Sequence, residues 1–384
     1  MLTANISIDG FKNIKKRKVN VEKDRLLKKY PLLKSLSSDY KYSYKKTLVK
    51  KYSNYSTFRI IGMGGSILGS EAIYQFLNKK IKKKFIFINN LQAYRPKLKQ
   101  KKKSLNLVIS KSGNTLETIV NYNLLNNKKK NNKFIFITEK KKNYISYLAN
   151  KIKAEIVEHK NYIGGRYSVL SEVGMLPANL MGLNEKKFKK FNELIKNKNF
   201  LNQLILNVSA TIEFLKKGKH NSIILNYDED SENLFKWYQQ LIAESLGKKA
   251  KGILPIISTM PRDNHSLLQF YLDGPKKSFF TFFNVYEKKS DILNTSFLSP
   301  FNYLKNKSFY EIINSQQQAT KNIFLKKKIP FRSFKVLKRN EESLGELFCF
   351  FILETILLGE ALKINPLDQP SVELVKKETK KILC

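Results

Sequence analysis

Short apolar segments alternate with helical segments along most of this chain, and this alternation limits the folds it can adopt. In the first half, the apolar runs cover residues 58–63, 85–88, 105–110, 134–138 and 154–157. Segments with helical periodicity lie between them, at 67–77, 116–125 and 143–150. Strands that alternate with helices predict a parallel sheet with helices on both faces, which is the α/β class.

The same alternation continues in the second half of the chain. The pattern predicts helices at 186–217, 232–246 and 311–328, and strands at 222–227, 253–258, 279–285 and 331–337. Two further helices, 343–362 and 369–382, are separated by Asn365-Pro366. A length of 384 residues suits two domains of ordinary size. We therefore expect a polar, helical N-terminal segment (1–50), a first α/β domain (51–185), a second α/β domain (186–340) and C-terminal helices (341–384).

The chain is strongly basic, with 72 Lys and Arg against 31 Asp and Glu and a net charge of +41. Only eight of these cations are arginine, the residue that reads guanine edges best, and the lysines occur in short runs over the whole length. Lys, Asn and Ile have A/T-rich codons, so genome composition explains the bias more simply than a nucleic-acid footprint. We expect no nucleic-acid partner, although a positive field could speed the capture of a small anion.

Membrane insertion and secretion are not expected either. The most apolar stretch, 347–358, contains Glu354 and lies between Glu346 and Glu360, so it predicts a buried helix. Residues 1–10 lack the pattern of a secretory signal. Cys349 and Cys384 cannot form a disulfide framework and belong to no metal-ligand cluster. A reducing, cytoplasmic location without a bound metal is the expectation.

A glycine-rich turn, Gly62-Met63-Gly64-Gly65-Ser66, leaves the first predicted strand and enters a helix. Glycines let the backbone approach a ligand closely, and helix N-terminal amides favour anions or sugar oxygens. The turn lacks the pattern of a nucleotide phosphate loop. A tight turn without a ligand explains this segment equally well.

A second turn of this kind joins the strand at 105–110 to the next helix. Ser110, Ser112 and Thr115 place hydroxyl groups where a helix presents its free amides, and Lys111 adds a cation. Helix capping by Ser112 or Asn114 is the simpler alternative. The number of hydroxyl residues exceeds what a cap needs, so we favour a phosphate site.

Further along the chain, Gly164-Gly165 precedes Arg166 and can aim this guanidinium into a cleft. Gln240 and Glu244 are four residues apart and share one face of a helix. Taken alone, most helix glutamates are simply solvated. His265 follows Asp263-Asn264 in a polar turn and suits proton transfer near neutral pH.

Six motifs in this order resemble the glucose-6-phosphate isomerase family over residues 58–382. They are GMGGSILGS, ISKSGNTLET, GGRYSVLSEVGMLP, WYQQLIAESLGK, RDNHSLLQFYLDGP and INPLDQPSVELVK. The resemblance implies two sugar-isomerase (SIS) type α/β sandwich domains and a helical C-terminal arm. It also implies reversible isomerisation of glucose 6-phosphate and fructose 6-phosphate, as in glycolysis and gluconeogenesis, without a metal or an organic cofactor.

The resemblance also implies roles for single residues. Glu244 would be the base that moves a proton between C2 and C1, and Gln240 would contact the substrate. Arg166 would stabilise the cis-enediolate intermediate. His265 and Lys376 would assist opening of the sugar ring, with His265 supplied by the neighbouring subunit of a homodimer. The expected substrate-binding loops contain Gly65, Ser66, Ser110, Lys111, Ser112 and Thr115.

Two related functions remain open on the sequence. A bifunctional phosphoglucose and phosphomannose isomerase shares the SGNT phosphate loop. A non-catalytic sugar-phosphate sensor could keep the phosphate loop, but it would not need Glu244, Arg166 and His265 together.

Overall fold

The computed structural model describes residues 1–92, 104–126, 133–293 and 300–384. Within these ranges, strands form two five-stranded sheets. The strands are β1 Ile6–Asp9, β2 Thr57–Ile61, β3 Lys84–Ile88, β4 Ser104–Ile109, β5 Lys133–Thr138, β6 Glu155–Glu158, β7 Asn221–Asn226, β8 Leu254–Thr259, β9 Ser278–Val285 and β10 Phe331–Val336.

Helices cover the sheets and connect their strands. The α-helices are α1 Lys23–Lys29, α2 Lys46–Lys51, α3 Leu68–Phe76, α4 Leu116–Asn126, α5 Tyr144–Lys151, α6 Glu172–Met181, α7 Phe191–Leu194, α8 Lys198–Lys216, α9 Glu232–Leu246, α10 Leu268–Asp273, α11 Phe309–Lys326, α12 Glu341–Leu362 and α13 Pro370–Leu383. Three short 3₁₀ helices matter for the site: Gly64–Ser66, Gly165–Leu170 and Arg262–His265.

The first sheet has the order β3-β2-β4-β5-β6, and all its strands are parallel. Every residue of β4 is buried, as expected for a central strand covered on both faces. After β2 the chain continues to β3 on one side of the sheet, and after β4 it continues to β5 on the opposite side, so the strand order reverses between β2 and β4. Ligands of open α/β sheets bind at the carboxyl ends of strands at such a switch point, and both predicted substrate loops follow these two strands.

The second sheet has the order β1-β10-β9-β7-β8. Strands β7 to β10 are parallel, which confirms the predicted α/β class with parallel sheets, whereas β1 pairs with β10 in the antiparallel direction. Only helices were expected before residue 50, and β1 was not predicted. Four residues are too few to show a strand period, and Ile6 is buried against elements that are distant in sequence.

The predicted helix at 186–217 is divided in the structure. Two short helical turns, Glu185–Phe188 and Phe191–Leu194, precede the long helix α8. Asn197 ends this irregular stretch because its side chain accepts a hydrogen bond from the backbone N–H of Phe200 at 3.0 Å. The helical pattern in the sequence was continuous, but the capping asparagine interrupts the helix.

Helix α12 lies in the hydrophobic core and corresponds to the apolar stretch predicted as a buried helix. Its residues are buried around the whole circumference over most of its length. Glu354 is 1% exposed and forms an ion pair with Arg332 of β10, which supplies the partner that a buried charge requires. Within the described part of the chain, no helix is long and apolar enough to cross a membrane.

The carboxyl end of the second sheet is filled by protein side chains. Arg339 forms ion pairs with Asp228, which follows β7, and with Glu287, which follows β9, where Nε and Oε1 are 2.7 Å apart. Arg339 also donates to the carbonyl oxygen of Phe76 at 3.3 Å, at the end of α3. The switch point of this sheet lies between β7 and β9, so these ion pairs occupy the position that the predicted substrate loops take in the first sheet.

Candidate active site

Arg166 is the centre of the candidate site and is 3% exposed. Its Nη1 lies 3.0 Å from Oε1 of Glu244 and 2.6 Å from Oε1 of Gln369. Its Nη2 donates to the carbonyl oxygens of Pro366 and Asp368 at 2.7 and 3.0 Å. Nε donates to the hydroxyl of Ser245 at 2.7 Å. All five N–H groups of this guanidinium therefore have acceptors, which fixes its orientation.

Glu244 lies near the end of α9 and is partly exposed. Its side chain is 17% exposed, and its two oxygens have different partners. One oxygen faces Arg166, and the other accepts a hydrogen bond from Nε2 of Gln240 at 2.8 Å. The spacing of four residues on one helix turn places the amide and the carboxylate side by side, as predicted from the sequence. The carboxylate is oriented by two donors and remains open to a ligand.

The glycine-rich turn after β2 runs directly beside these groups. Gly64 has a φ of +54°, a conformation that glycine adopts without cost, and a Cβ there would lie 2.7 Å from Nε2 of Gln240. Gly65 is buried against Gly165, where a Cβ would lie 2.2 Å from the carbonyl carbon. Ser66 is half-buried at the end of the 3₁₀ helix. The two glycines thus allow the turn to approach both Gln240 and the loop that carries Arg166.

The hydroxyl-rich turn after β4 adjoins the glycine-rich turn, because a Cβ on Gly62 would lie 3.2 Å from the carbonyl oxygen of Ile109. The hydroxyls of Ser110 and Thr115 are 2.8 Å apart. Ser112 is exposed, and its hydroxyl accepts a hydrogen bond from the N–H of Asn114 at 3.2 Å. Helix α4 begins directly after this turn, so the three hydroxyls lie next to a helix N-terminus.

Lys111 connects this turn to the loop that carries Arg166. Its ammonium donates to the carbonyl oxygen of Asn161 at 2.8 Å and lies 3.5 Å from Oε1 of Glu139. The pKa of Lys111 is lowered, mainly because the residue is partly buried. The carboxylate of Glu139 opposes this effect, and repulsion from Lys141 and Arg166 lowers the pKa slightly further.

The structure does not bring His265 and Lys376 to this cluster within one chain. His265 is exposed at the end of the 3₁₀ helix after β8. Lys376 is exposed on α13 and pairs with Glu373, where Nζ and Oε1 are 2.6 Å apart. The remaining predicted residues, namely Gly65, Ser66, Ser110, Lys111, Ser112, Thr115, Arg166, Gln240 and Glu244, line adjoining segments of a single region.

Several partners of Arg166 were not predicted from the sequence. Gln369 directly precedes α13 but makes no capping hydrogen bond, and its side chain accepts a hydrogen bond from Arg166 instead. Tyr167 is fully buried, and its hydroxyl lies 2.9 Å from that of Ser245. Tyr167 follows Arg166 and Ser245 follows Glu244 in the sequence, and this adjacency was the available signal that they belong to the site. The contact with Gln369 spans about 200 residues and leaves no local pattern.

Two α/β sheets with substrate-type loops at one switch point define a protein of the sugar-isomerase fold class, and comparison with solved structures agrees. A hypothetical protein from Thermus thermophilus superimposes with a TM-score of 0.78 at 21% identity, covering 94% of this chain and 93% of that chain. A glucose-6-phosphate isomerase from Chlamydia trachomatis has a TM-score of 0.71 at 18% identity, covering 96% of this chain and 76% of that chain.

Sequence comparison adds the family. Residues 43–259 match the model of the phosphoglucose isomerase family. The glucose-6-phosphate isomerase of Methanocaldococcus jannaschii is 35% identical over 343 residues, which cover 85% of this chain and 84% of that protein. The chain belongs to the phosphoglucose isomerase family.

Proposed function

We propose that this chain catalyses the reversible isomerisation of glucose 6-phosphate and fructose 6-phosphate. The contact between Glu244 and Arg166 carries this proposal. The side chain of Glu244 is 17% exposed, and its Oε1 lies 3.0 Å from Nη1 of Arg166. The other hydrogen-bond partners of Arg166 hold its guanidinium in place. Family membership and the named relative support the same substrate pair.

The reaction requires a base next to a fixed positive charge. A proton on the carbon next to a carbonyl is weakly acidic, so the enediolate formed by its removal needs electrostatic stabilisation. Glu244 would take the proton from one of the two adjacent carbons and return it to the other. Arg166 would stabilise the oxygen on which negative charge develops. Gln240 would keep the carboxylate oriented through its 2.8 Å hydrogen bond.

The hydroxyl-rich turn would bind the phosphate group of the sugar. Ser110 and Thr115 present paired hydroxyls at the start of α4, and Ser112 is exposed beside them. Lys111 adds a cation in the same turn, and Gly65 and Ser66 border the cleft from the neighbouring strand. A phosphate anchored there would supply binding energy remote from the reacting carbons.

We also propose that two copies of the chain share their sites in a homodimer. His265 and Lys376, which would assist ring opening, are exposed and lie outside the cluster around Arg166. Helix α13 is at least partly exposed at every residue, and it exposes an apolar set that a second copy could cover. This set is Val372, Leu374, Val375, Ile382 and Leu383. We place the dimer in the cytoplasm, where the two free cysteines would stay reduced.

A two-substrate assay tests the reaction. The purified chain is incubated with fructose 6-phosphate in the presence of a chelator, and glucose 6-phosphate is followed with a coupled dehydrogenase. Formation of glucose 6-phosphate supports the proposal, and its absence favours the sugar-phosphate sensor. Mannose 6-phosphate is tested in parallel, because comparable turnover of this substrate would identify the bifunctional isomerase instead.

Mixed dimers test the shared site. Glu244→Gln and His265→Ala chains are each assayed alone and then after unfolding and refolding together. If His265 acts across the interface, a mixed dimer contains one site with both native groups, so about a quarter of the native activity returns at equal mixing. If both groups act within one chain, no activity returns. Sedimentation equilibrium of the native chain gives the oligomeric state independently.

A further inference from the structure

Residues 365–369 form an irregular segment between α12 and α13, which we call the C-terminal strap. Its contacts come from residues far upstream in the sequence. Arg166 donates to the carbonyl oxygens of Pro366 and Asp368 at 2.7 and 3.0 Å, and to Oε1 of Gln369 at 2.6 Å. The strap therefore supplies three of the five acceptors that fix Arg166.

Lys248 holds the same strap from another side. Its ammonium donates to the carbonyl oxygen of Asn365, to that of Asp368 at 2.8 Å, and to Oδ1 of Asp368 at 2.6 Å. An ammonium has three N–H groups, so all of them have acceptors in the strap. The side chain of Lys248 is only 12% exposed, and Lys248 is the main cause that lowers the pKa of the Asp368 carboxyl.

The location of Lys248 links the strap to the helix of the proposed base. Gly247 is the C-cap residue of α9, Lys248 follows it directly, and Glu244 lies one turn earlier. The Asp368 carboxylate is 51% exposed, so its ion pair with Lys248 contributes little on its own. The two hydrogen bonds from Lys248 to the backbone carbonyls of Asn365 and Asp368 contribute more, because their donor is a largely buried cation. They also fix the path of the main chain in the strap.

We propose that Lys248 is a positioning residue that holds the C-terminal strap in place, so that the strap presents its acceptors to Arg166. The catalytic consequence rests on the proposed function, whereas the structural role does not. Without Lys248 the carbonyls of Pro366 and Asp368 can leave Arg166. A guanidinium that is 3% exposed would then lack part of its acceptors and would turn away from the substrate cleft.

The central experiment is a Lys248→Met variant, which keeps the aliphatic stem and removes the ammonium. Hydrogen exchange of peptides covering 363–372 and steady-state kinetics are measured on the same preparation. We expect exchange in the strap to become about tenfold faster and kcat to fall about tenfold, while the KM for fructose 6-phosphate changes little. A general loss of folding would raise exchange in all helices, whereas release of the strap alone would raise it only in the peptides that cover 363–372.

Two further variants make the comparison sharper. Lys248→Arg keeps the charge and the donors and should recover most of kcat. Lys249→Met removes an exposed lysine from the adjacent position and should leave strap exchange and kcat at native values. If Lys249→Met matched Lys248→Met, the effect would come from net charge, and the proposal would be overturned.

A double-mutant cycle tests the direct contact. Asp368→Ala removes only one of the three acceptors and should cost less than Lys248→Met. The double variant should lose no more than Lys248→Met alone, whereas additive losses would show that the two residues act separately and would overturn the proposal.

Unchanged strap exchange in Lys248→Met, or faster exchange with native kcat, would overturn it as well. Faster strap exchange in a protein whose native form has no isomerase activity would support the holding role and would count against the proposed function alone.

Discussion

Gly65 and Gly165 touch backbone to backbone, although they lie on loops that are about a hundred residues apart. A Cβ on Gly65 would be 2.2 Å from the carbonyl carbon of Gly165 and 2.4 Å from the backbone nitrogen of Arg166. Real Cβ atoms do not approach backbone atoms so closely, so one loop would have to move. This contact places the start of the Arg166 loop against the glycine-rich turn after β2.

Replacing Gly65 by alanine should therefore impair catalysis. A shift of the Arg166 loop by about an ångström is expected to lower kcat/KM about a hundredfold, measured with fructose 6-phosphate in the coupled assay. Gly164→Ala is the matched control, because its φ is −67° and the nearest atom to a new Cβ is a ring carbon of Tyr167 at 3.4 Å. Equal activity of the two variants would contradict this interpretation.

Glu244→Gln should separate binding from turnover. The amide keeps the shape of the carboxylate but cannot accept the proton, so kcat should fall about a thousandfold. Titration calorimetry with the sugar phosphate should show retained binding, since the phosphate turn is unchanged. Glu232→Gln, in the first turn of the same helix, should keep native turnover. A Glu244→Gln variant with native kcat would exclude this residue as the base.

Thr115→Val should weaken phosphate binding with less effect on kcat. The hydroxyl of Thr115 lies 2.8 Å from that of Ser110, and a hydrogen bond to a charged group contributes about 1.5 kcal/mol. The KM for fructose 6-phosphate and the inhibition constant for inorganic phosphate should both rise about tenfold. Thr47→Val, at an exposed position of α2, is the control. A changed KM with an unchanged inhibition constant would place the phosphate elsewhere.

The buried His159 predicts a loss of stability in acid. Burial lowers the pKa of His159 from its ordinary value of 6.5 to about 4, and the residue is 1% exposed. Because the unfolded chain binds this proton first as the pH falls, the free energy of unfolding decreases between pH 6.5 and 4. The decrease should approach about 3 kcal/mol at pH 4 and below, measured by urea unfolding.

A His159→Gln variant provides the comparison for this pH dependence. It should unfold with a shallower dependence on pH in the same window, whatever its stability at neutral pH. Native and variant curves with the same slope between pH 6.5 and 4 would show that His159 does not take up a proton on unfolding in that range.

Local sequence patterns were sufficient to predict most of the elements of the two sheets. Strands such as β4 are continuously apolar because both faces are covered, and the predicted and observed limits of β4 differ by one residue at each end. The pairing of Glu244 with Gln240 was also predictable, since four residues make one helix turn. Edge strand β1 was not, because its four residues acquire their conformation only by pairing with β10.

The surroundings of Arg166 could be predicted only in part. A glycine pair before a rare arginine indicated a functional loop, but the strap that supplies three acceptors lies about 200 residues further along the chain. Such contacts depend on how distant segments of the chain meet, and single-sequence periodicity contains no information on that. The roles of His265 and Lys376 remain predictions, and that of His265 depends on a second chain.

The ion pairs of Arg339 with Asp228 and Glu287 have a consequence for how this architecture can change. An arginine and two acids occupy the switch point of the second sheet, and the same arginine joins this sheet to the end of α3. The second half of the chain therefore contributes to the candidate site through helix α9, which carries Gln240 and Glu244, and not through the switch point of its own sheet. A ligand site at that switch point would require the loss of an arginine that also pairs with two carboxylates and holds the end of α3, so the fold keeps this position closed.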